Sequence, residues 1–234
     1  VYSRLLAEAQ GAQIAYTESP ALCAFLYSEL KSMLSICKEL DMPEPTLHGR
    51  GAVKQVRFSE LAEMLKLTLR TFWNSEKGMF LNRDRDVHTQ TAGCWLGELV
   101  GNGILELGHS FPSAARLVFR LETKGDRSQR PQVSVVGIEA KGNSICEEVP
   151  LSQWRWVLLK TGHATTSHAF LQVERIEVHN IGDEDRFLAS SLDYTFVDLS
   201  LFLPLWGDLL AHDQEAAFLT QLFEEQTGLF YPYG

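Results

Sequence analysis

Two side chains that could bind a metal, Glu177 and His179, stand two positions apart near the end of a long apolar segment. Side chains at this spacing share one face of a β-strand. Imidazole and carboxylate groups together bind Zn²⁺ or Mn²⁺, and the acidic run Asp183-Glu184-Asp185 follows closely. Metal ligands normally come from fixed positions, whereas this run after Gly182 is typical of a solvated loop. The sequence therefore predicts no metal, with Glu177 and His179 as the alternative ligands.

A second pair of chemically active residues closes the segment Val135-Val136-Gly137-Ile138-Glu139-Ala140-Lys141, in which alternation places Glu139 and Lys141 on one strand face. The segment resembles the E-x-K half of the restriction-endonuclease-like nuclease fold. The resemblance implies a strand acid that binds Mg²⁺ and a lysine that contacts the phosphate or the attacking water. It also implies an upstream aspartate, for which Asp126 is the available residue, although it lies in a polar loop without the usual preceding proline. The alternative function is a divalent-metal-dependent nuclease or phosphodiesterase with Asp126, Glu139 and Lys141 as catalytic residues.

Histidine also lies beside small hydroxyl residues, because His163 and His168 flank the run Ala164-Thr165-Thr166-Ser167. Histidine next to serine or threonine can support acyl transfer. The sequence has no G-x-S-x-G motif and no acid adjacent to these histidines, which favours an ordinary turn. It also has no phosphate-binding glycine loop of the P-loop or dinucleotide type. We expect no cofactor, and Mg²⁺ only under the nuclease alternative.

Nucleic-acid binding is a further alternative. Residues 58–68 have the pattern of the first helix of a helix-turn-helix, and residues 99–107 with 115–122 could supply the last helix and wing strands of a winged helix. Five basic residues would contact phosphates: Arg116, Arg120, Lys124, Arg127 and Arg130. The segment that would read bases, 69–75, is instead rich in Leu, Phe and Trp. Because the pI is about 5.3, we expect only weak and nonspecific binding.

Two groups of aromatic residues suggest a protein-binding function. Trp154 and Trp156 flank an arginine, and Phe230, Tyr231 and Tyr233 stand at the end of the chain. Trp, Tyr and Arg are enriched at protein-binding hot spots. Since no catalytic pattern is complete, the sequence favours a non-enzymatic binding or regulatory module that acts through protein–protein contacts, with another protein or a second copy as its partner.

The net charge of −9 is concentrated at the C-terminal end. Residues 183–234 hold ten of the 30 acids and one of the 21 bases, so the rest of the chain is neutral. An acidic region repels polyphosphates and anionic membranes. The longest apolar run, residues 196–210, is interrupted by Asp198, Pro204 and Asp208 and is too short to span a membrane. We expect no membrane partner.

Four widely spaced cysteines, Cys23, Cys37, Cys94 and Cys146, form no C-x-x-C pair and lie among apolar residues. Free thiols are typical of a reducing compartment, and the sequence has no N-glycosylation motif. These features predict a cytoplasmic protein.

The first half of the chain has helical periodicity. Ser19-Pro20 is a typical helix start, and apolar residues then recur at steps of three and four: Leu22, Leu26, Leu30, Met33, Cys37 and Leu40. A second helix is predicted from Ser59, and a short one over residues 91–101, where Gly93, Gly97 and Gly101 share one side.

From residue 115 the period changes to two. Strands are predicted over 115–122, 132–141, 168–179 and 192–197, and a phase change in the third predicts a bulge near Glu174-Arg175. Residues 213–227 are predicted to form an amphipathic helix whose inward side chains are Phe218, Leu219, Leu222 and Phe223.

These elements predict an α+β protein: a helical N-terminal half over 1–110, then an antiparallel β-meander and a C-terminal packing helix over 111–234. Residues 101–113 are predicted to be the loop between the halves, which we expect to form one compact unit.

Overall fold

A computed structural model describes residues 14–47, 55–124, 130–157, 160–195, 199–206, 209–210 and 212–223. The chain divides into two compact units. The β unit contains residues 14–18 and Arg83–Thr195, and the helical unit contains Ser19–Asn82 with the described residues from 199 onward.

The described helices are α1 (Pro20–Glu39), α2 (Phe58–Arg70), α3 (Leu203–Trp206) and α4 (His212–Phe223). Short 3-10 turns cover Ile14–Tyr16, Leu151–Gln153 and Leu199–Phe202. Six two-residue strands are β1 (Thr17–Glu18), β2 (Thr46–Leu47), β3 (Val56–Arg57), β4 (Trp73–Asn74), β5 (Met79–Phe80) and β6 (Arg83–Asp84). They pair antiparallel as β1 with β6, β2 with β3 and β4 with β5.

The nine longer strands are β7 (Trp95–Val100), β8 (Gly103–Ala115), β9 (Leu117–Glu122), β10 (Gln132–Glu139), β11 (Ser144–Val149), β12 (Arg155–Val157), β13 (Thr161–Thr165), β14 (Phe170–His179) and β15 (Arg186–Ser191). They form a four-stranded sheet in the order β11-β10-β14-β8 and a five-stranded sheet in the order β12-β13-β9-β15-β7. All pairs are antiparallel.

One apolar cluster joins the two sheets of the β unit. Phe119 of β9 and Phe187 of β15 come from the five-stranded sheet, and Val135 of β10 and Ile176 of β14 come from the four-stranded sheet. All four side chains are fully buried. Since their neighbours along each strand point the opposite way, the two sheets pack face to face as a β-sandwich.

The start of α1 confirms the predicted helix start. The Ala21 N–H donates to Ser19 Oγ at 3.3 Å, and Pro20 occupies the first helical position, where a missing N–H costs nothing. Of the predicted core residues of α1, only Leu30 is buried. The face of the helix that packs inward is a different one, and it carries Ala21, Ala24 and Tyr27 together with Leu30. The other large members, Leu22, Leu26, Met33 and Leu40, are each more than 40% exposed.

The core of the helical unit includes Phe218 of α4, which is fully buried and stacks on Phe202 with ring centroids 4.8 Å apart. Phe80 and Trp73 meet the same ring edge to face. The predicted C-terminal helix is therefore present, and it packs as expected through Phe218, but Leu219 is 39% exposed. The side chains of residues 222 and 223, like residues 224–227, lie outside the described part.

The predicted fold class is wrong, because strands make up 41% of the structure and helices 28%. Residues 91–101, predicted as a helix, contain strand β7, and residues 101–113, predicted as a loop, belong largely to β8. The glycine spacing that suggested a helix has another cause. Gly101 has φ +73° in the turn between β7 and β8, where its α-carbon packs on the Asp183 backbone, and Gly97 lies against Leu105. Residues 192–195 are not a strand.

The predicted bulge in β14 is confirmed. Val136 pairs with Arg175 and Gly137 pairs with Val173, so Glu174 has no partner position on β10. This extra residue lets both Val173 and Ile176 point into the core despite their different parity.

Candidate binding surfaces

The predicted aromatic pair Trp154 and Trp156 belongs to the interior of the β unit. Trp154 is buried, Trp156 packs on the same core, and the two indoles stack at 6.2 Å between centroids. Both lie against Gly162, where an added Cβ would be 3.0 to 3.1 Å from their rings. These tryptophans fill space that the glycine leaves open, so Trp154 cannot anchor a partner. Phe230, Tyr231 and Tyr233 lie outside the described residues.

Arg116, the first of the predicted phosphate contacts, is 1% exposed and bound by protein acceptors. Its Nε donates to Asp84 Oδ2 at 2.6 Å, and its Nη atoms donate to Asp86 and to the Ser167 carbonyl. The guanidinium also lies 4.0 Å from the centroid of the Tyr16 ring. Arg116 therefore has a structural role and cannot meet a phosphate.

Asp84 is the shared acceptor of this buried network. Its Oδ2 also accepts from the Tyr194 hydroxyl at 2.9 Å, and its Oδ1 accepts from the N–H groups of Asp86 and Val87. Burial, followed by the negative charge of Asp84, raises the pKa of Tyr194. The Arg85 guanidinium, and then that of Arg116, lowers the pKa of Asp86.

The remaining predicted basic residues do not form one surface. Arg120 pairs with Glu122 at 2.7 Å, and Lys124 lies 3.8 Å from Glu184. Arg130 is exposed, and its carbonyl accepts from Asn180. Arg127 lies outside the described residues. The winged-helix arrangement is also wrong, because residues 99–107 are strand and turn, and the proposed reading segment 69–75 completes α2 and enters β4.

Glu139 and Lys141 do not share a strand face. Strand β10 ends at Glu139, whose Oε1 accepts from the Asn143 amide at 2.6 Å, and Lys141 is exposed in the turn that follows. Asp126 lies outside the described residues. The strand pair of acid and lysine that the nuclease resemblance implies is therefore absent from β10.

Glu177 and His179 do share the outer face of the four-stranded sheet, but Glu177 Oε1 accepts from Arg175 Nε at 2.8 Å. The nearby Asp185 is buried and accepts from the backbone N–H groups of Lys124 and Gly182, so it stabilises a turn. The part of the chain that the structure describes holds no group of three metal-binding side chains.

His168 has an acidic partner that sequence adjacency could not reveal. Glu147, 21 residues away on β11, accepts from the His168 ring at 3.0 Å and from the backbone N–H groups of Ser167 and His168. These bonds satisfy a carboxylate that is 7% exposed. These hydrogen bonds close the turn before β14, and Ser167 Oγ accepts instead from Gln153 at 2.6 Å.

A groove of about 340 Å³ crosses the outer face of the five-stranded sheet. Two rows of cross-strand neighbours form its floor: His163, Arg120 and Leu188 in one, and Val118, Ser190 and Trp95 in the other. These positions alternate with buried core residues along each strand, so their side chains point away from the sandwich interior. Trp95 was not among the predicted binding residues, because residues 91–101 were predicted to form a helix.

One wall of the groove is fixed by Asp193. Its Oδ1 accepts from the backbone N–H of Thr195 at 2.8 Å and from the Thr195 hydroxyl at 2.7 Å. A Cβ added at Gly93 would lie 2.8 Å from the Asp193 Cβ, so this close approach requires glycine. The carboxylate is thus held in one orientation in the wall of the groove.

A second candidate surface is apolar and lies on α1. We call it the α1 seam, and it consists of Leu22, Leu26, Met33, Ile36 and Leu40, all of which are at least 43% exposed. The seam residues, with Glu29 between them, follow steps of four and three, which is the spacing of a helix that packs along another helix. Between Lys31 and Glu39 every residue is exposed except the half-buried Leu34 and Cys37.

None of the helices in the described ranges is long and apolar enough to cross a membrane. The sequence matches no protein-family model, and it has no significant similarity to a curated protein.

Proposed function

We propose that this chain is a non-enzymatic binding module that acts through protein–protein contacts, and that the α1 seam joins it to a second copy of itself. The observation that carries the proposal is the row of large apolar side chains exposed along one helix and interrupted only by Glu29. Exposed apolar residues that occur singly need no partner, whereas a contiguous row of this length is typical of an interaction site.

The spacing of the α1 seam favours another helix as its occupant. A helix that packs lengthwise on a second helix presents apolar residues every 3.5 positions on average. A two-fold axis lets one such row pair with its own copy, because a symmetric dimer uses the same patch twice.

Glu29 selects the direction of the pair. In a parallel pair, the two Glu29 carboxylates would face each other within an apolar seam, which costs free energy. In an antiparallel pair centred on Lys31, Leu22 faces Leu40 of the second copy, Leu26 faces Ile36, and Glu29 faces Met33. We therefore propose the antiparallel arrangement, in which the exposed second half of each α1 covers the first half of the other.

The cytoplasm is the proposed compartment, because all four cysteines are free thiols. Cys23 and Cys94 are half-buried and Cys146 is exposed, so these thiols could be oxidised in an oxidising compartment.

Sedimentation equilibrium of the wild-type chain and two single variants tests the proposal. Ile36→Glu places a charge in the seam, and Val100→Glu places the same charge at a similarly exposed position in the β unit. We expect a dimer for the wild type and for Val100→Glu, and a monomer for Ile36→Glu with unchanged far-UV circular dichroism. A monomeric wild type at high micromolar concentration, or a dimer that survives Ile36→Glu, would overturn it.

A further inference from the structure

The groove on the five-stranded sheet has the composition of a ligand site. It is formed within the β unit alone, and its volume of about 340 Å³ lies at the lower end of the range for small-molecule sites, about 300–1,000 Å³. Its lining combines an aromatic ring, Trp95, with four polar side chains: Arg120, His163, Ser190 and Asp193. Such a combination favours a ligand that has both an apolar face and many polar groups.

Trp95 supplies the apolar face. Its side chain is 59% exposed although it lies on a β-strand beside the groove, so most of the indole surface is in contact with water. A flat ligand that covers the ring would remove this apolar area from water. The ring of a pyranose sugar has a face of C–H groups that packs on an indole in this way.

The polar groups are arranged to bind hydroxyls. Asp193 is fixed through its Oδ1 by Thr195, and among the described residues its Oδ2 accepts no hydrogen bond. The Ser190 hydroxyl, which points to the same face, likewise has no partner within the described ranges. Arg120 adds N–H donors across the groove. A sugar hydroxyl both donates and accepts, and it could therefore bind an acid and an arginine at once.

The charges around the groove favour a neutral ligand. Arg120 is paired with Glu122 at 2.7 Å, and Arg186 at the far end of β15 is paired with Glu98. The lining itself holds one arginine and one aspartate, whose charges cancel. A phosphate or nucleotide would find no excess positive charge here, and Asp193 would repel it.

From this geometry we infer that the groove binds a neutral carbohydrate, with one sugar ring stacked on Trp95 and its hydroxyls bound by Asp193, Arg120 and Ser190. This inference does not depend on the α1 seam, which belongs to the helical unit.

The experiment is an NMR and calorimetric titration of the whole chain. The probes are glucose, mannose, galactose and xylose, the short oligosaccharides of each, and AMP and inorganic phosphate as charged comparators. The variants are Trp95→Ala, which removes the stacking surface, and Asp193→Asn, which keeps the shape but removes the charge. The matched control is Val100→Ala, on the same strand and 65% exposed.

We expect at least one sugar or oligosaccharide to bind, with shifts confined to the groove residues. Trp95→Ala is expected to weaken binding by about tenfold or more and Asp193→Asn by a similar factor, while Val100→Ala leaves it unchanged. Gly93→Ala is a second test, because its Cβ would lie 2.8 Å from the Asp193 Cβ and should weaken binding by displacing Asp193. No binding by any sugar, binding of AMP in place of sugars, or sugar binding that survives Trp95→Ala would overturn the inference.

Discussion

Replacement of Asp84 by alanine removes the acceptor on which the buried network of the β unit depends. Asp84 accepts from Arg116 at 2.6 Å, from Tyr194 at 2.9 Å and from the Asp86 N–H at 2.8 Å. The Asp84→Ala variant keeps the Arg116 guanidinium buried, with only the side chain of Asp86 and the carbonyls of residues 166 and 167 as acceptors. A buried charge that loses its main partner typically destabilises a protein by about 3–5 kcal/mol.

Two further variants separate this charge effect from the loss of a single hydrogen bond. Tyr194→Phe keeps the ion pair and removes one donor to Asp84, so we expect a loss of about 1–2 kcal/mol. Asp86→Ala removes a carboxylate that is about half exposed, and we expect about 1 kcal/mol or less.

Urea denaturation followed by far-UV circular dichroism gives the three free energies of unfolding. The predicted order is Asp84→Ala, then Tyr194→Phe, then Asp86→Ala. If Asp84→Ala costs less than Tyr194→Phe, the guanidinium is not held by Asp84 and the description of the network is wrong.

Two other predictions concern local structure. The pKa of Glu44 is lowered from 4.5, first by a hydrogen bond from the Ser59 hydroxyl and then by one from the Ser59 N–H, which lies 2.6 Å from Glu44 Oε1. The stabilisation that these bonds give to the start of α2 is therefore present above pH 4.5 and is lost as the pH falls through the lower pKa of the folded state. In an NMR titration we expect Ser59→Ala to raise the Glu44 midpoint, and a wild-type midpoint at or above 4.5 would contradict this. A Cβ at Gly137 would lie 2.2 Å from the Gln172 carbonyl oxygen, so Gly137→Ala must move β10 away from β14. We expect this variant to lower the free energy of unfolding in urea by more than about 2 kcal/mol, and Gly142→Ala, in an open turn at φ +87°, to lower it by about 1 kcal/mol. Equal losses for the two variants would contradict the close approach of β14 to Gly137.

Local signals in the sequence predicted local structure well. Ser19-Pro20 starts α1 as expected because capping depends on neighbouring atoms alone, and the phase change in residues 168–179 located the bulge at Glu174 because strand alternation is a local pattern. The three glycines at helical spacing led to the wrong prediction of a helix at β7. Glycine is needed at these positions because Asp183, Asp193 and Leu105 pack closely against them, and the sequence pattern does not reveal those contacts.

The candidate sites depend on such distant contacts even more. Trp154 and Trp95 are the same residue type, yet one fills the space above Gly162 and the other faces solvent. The alternation of polar and apolar residues in residues 115–122 predicts an exposed side chain at Arg116. Arg116 is instead buried with Asp84, which lies 32 positions earlier in the sequence. Composition and spacing could identify aromatic and basic residues, but pairing between strands decided which of them reach the surface.

Cysteine cross-linking tests whether the α1 seam pairs two copies of this chain in antiparallel fashion. In a background where the four natural cysteines are replaced by serine or alanine, Leu26→Cys with Ile36→Cys puts thiols at positions that face each other only in the antiparallel pair. Ile36→Cys alone is the control, since it brings two thiols together only in a parallel pair. We expect a disulfide-linked dimer on gentle oxidation of the double variant and none for the single variant. A cross-link in Ile36→Cys alone, or none in the double variant, would contradict it.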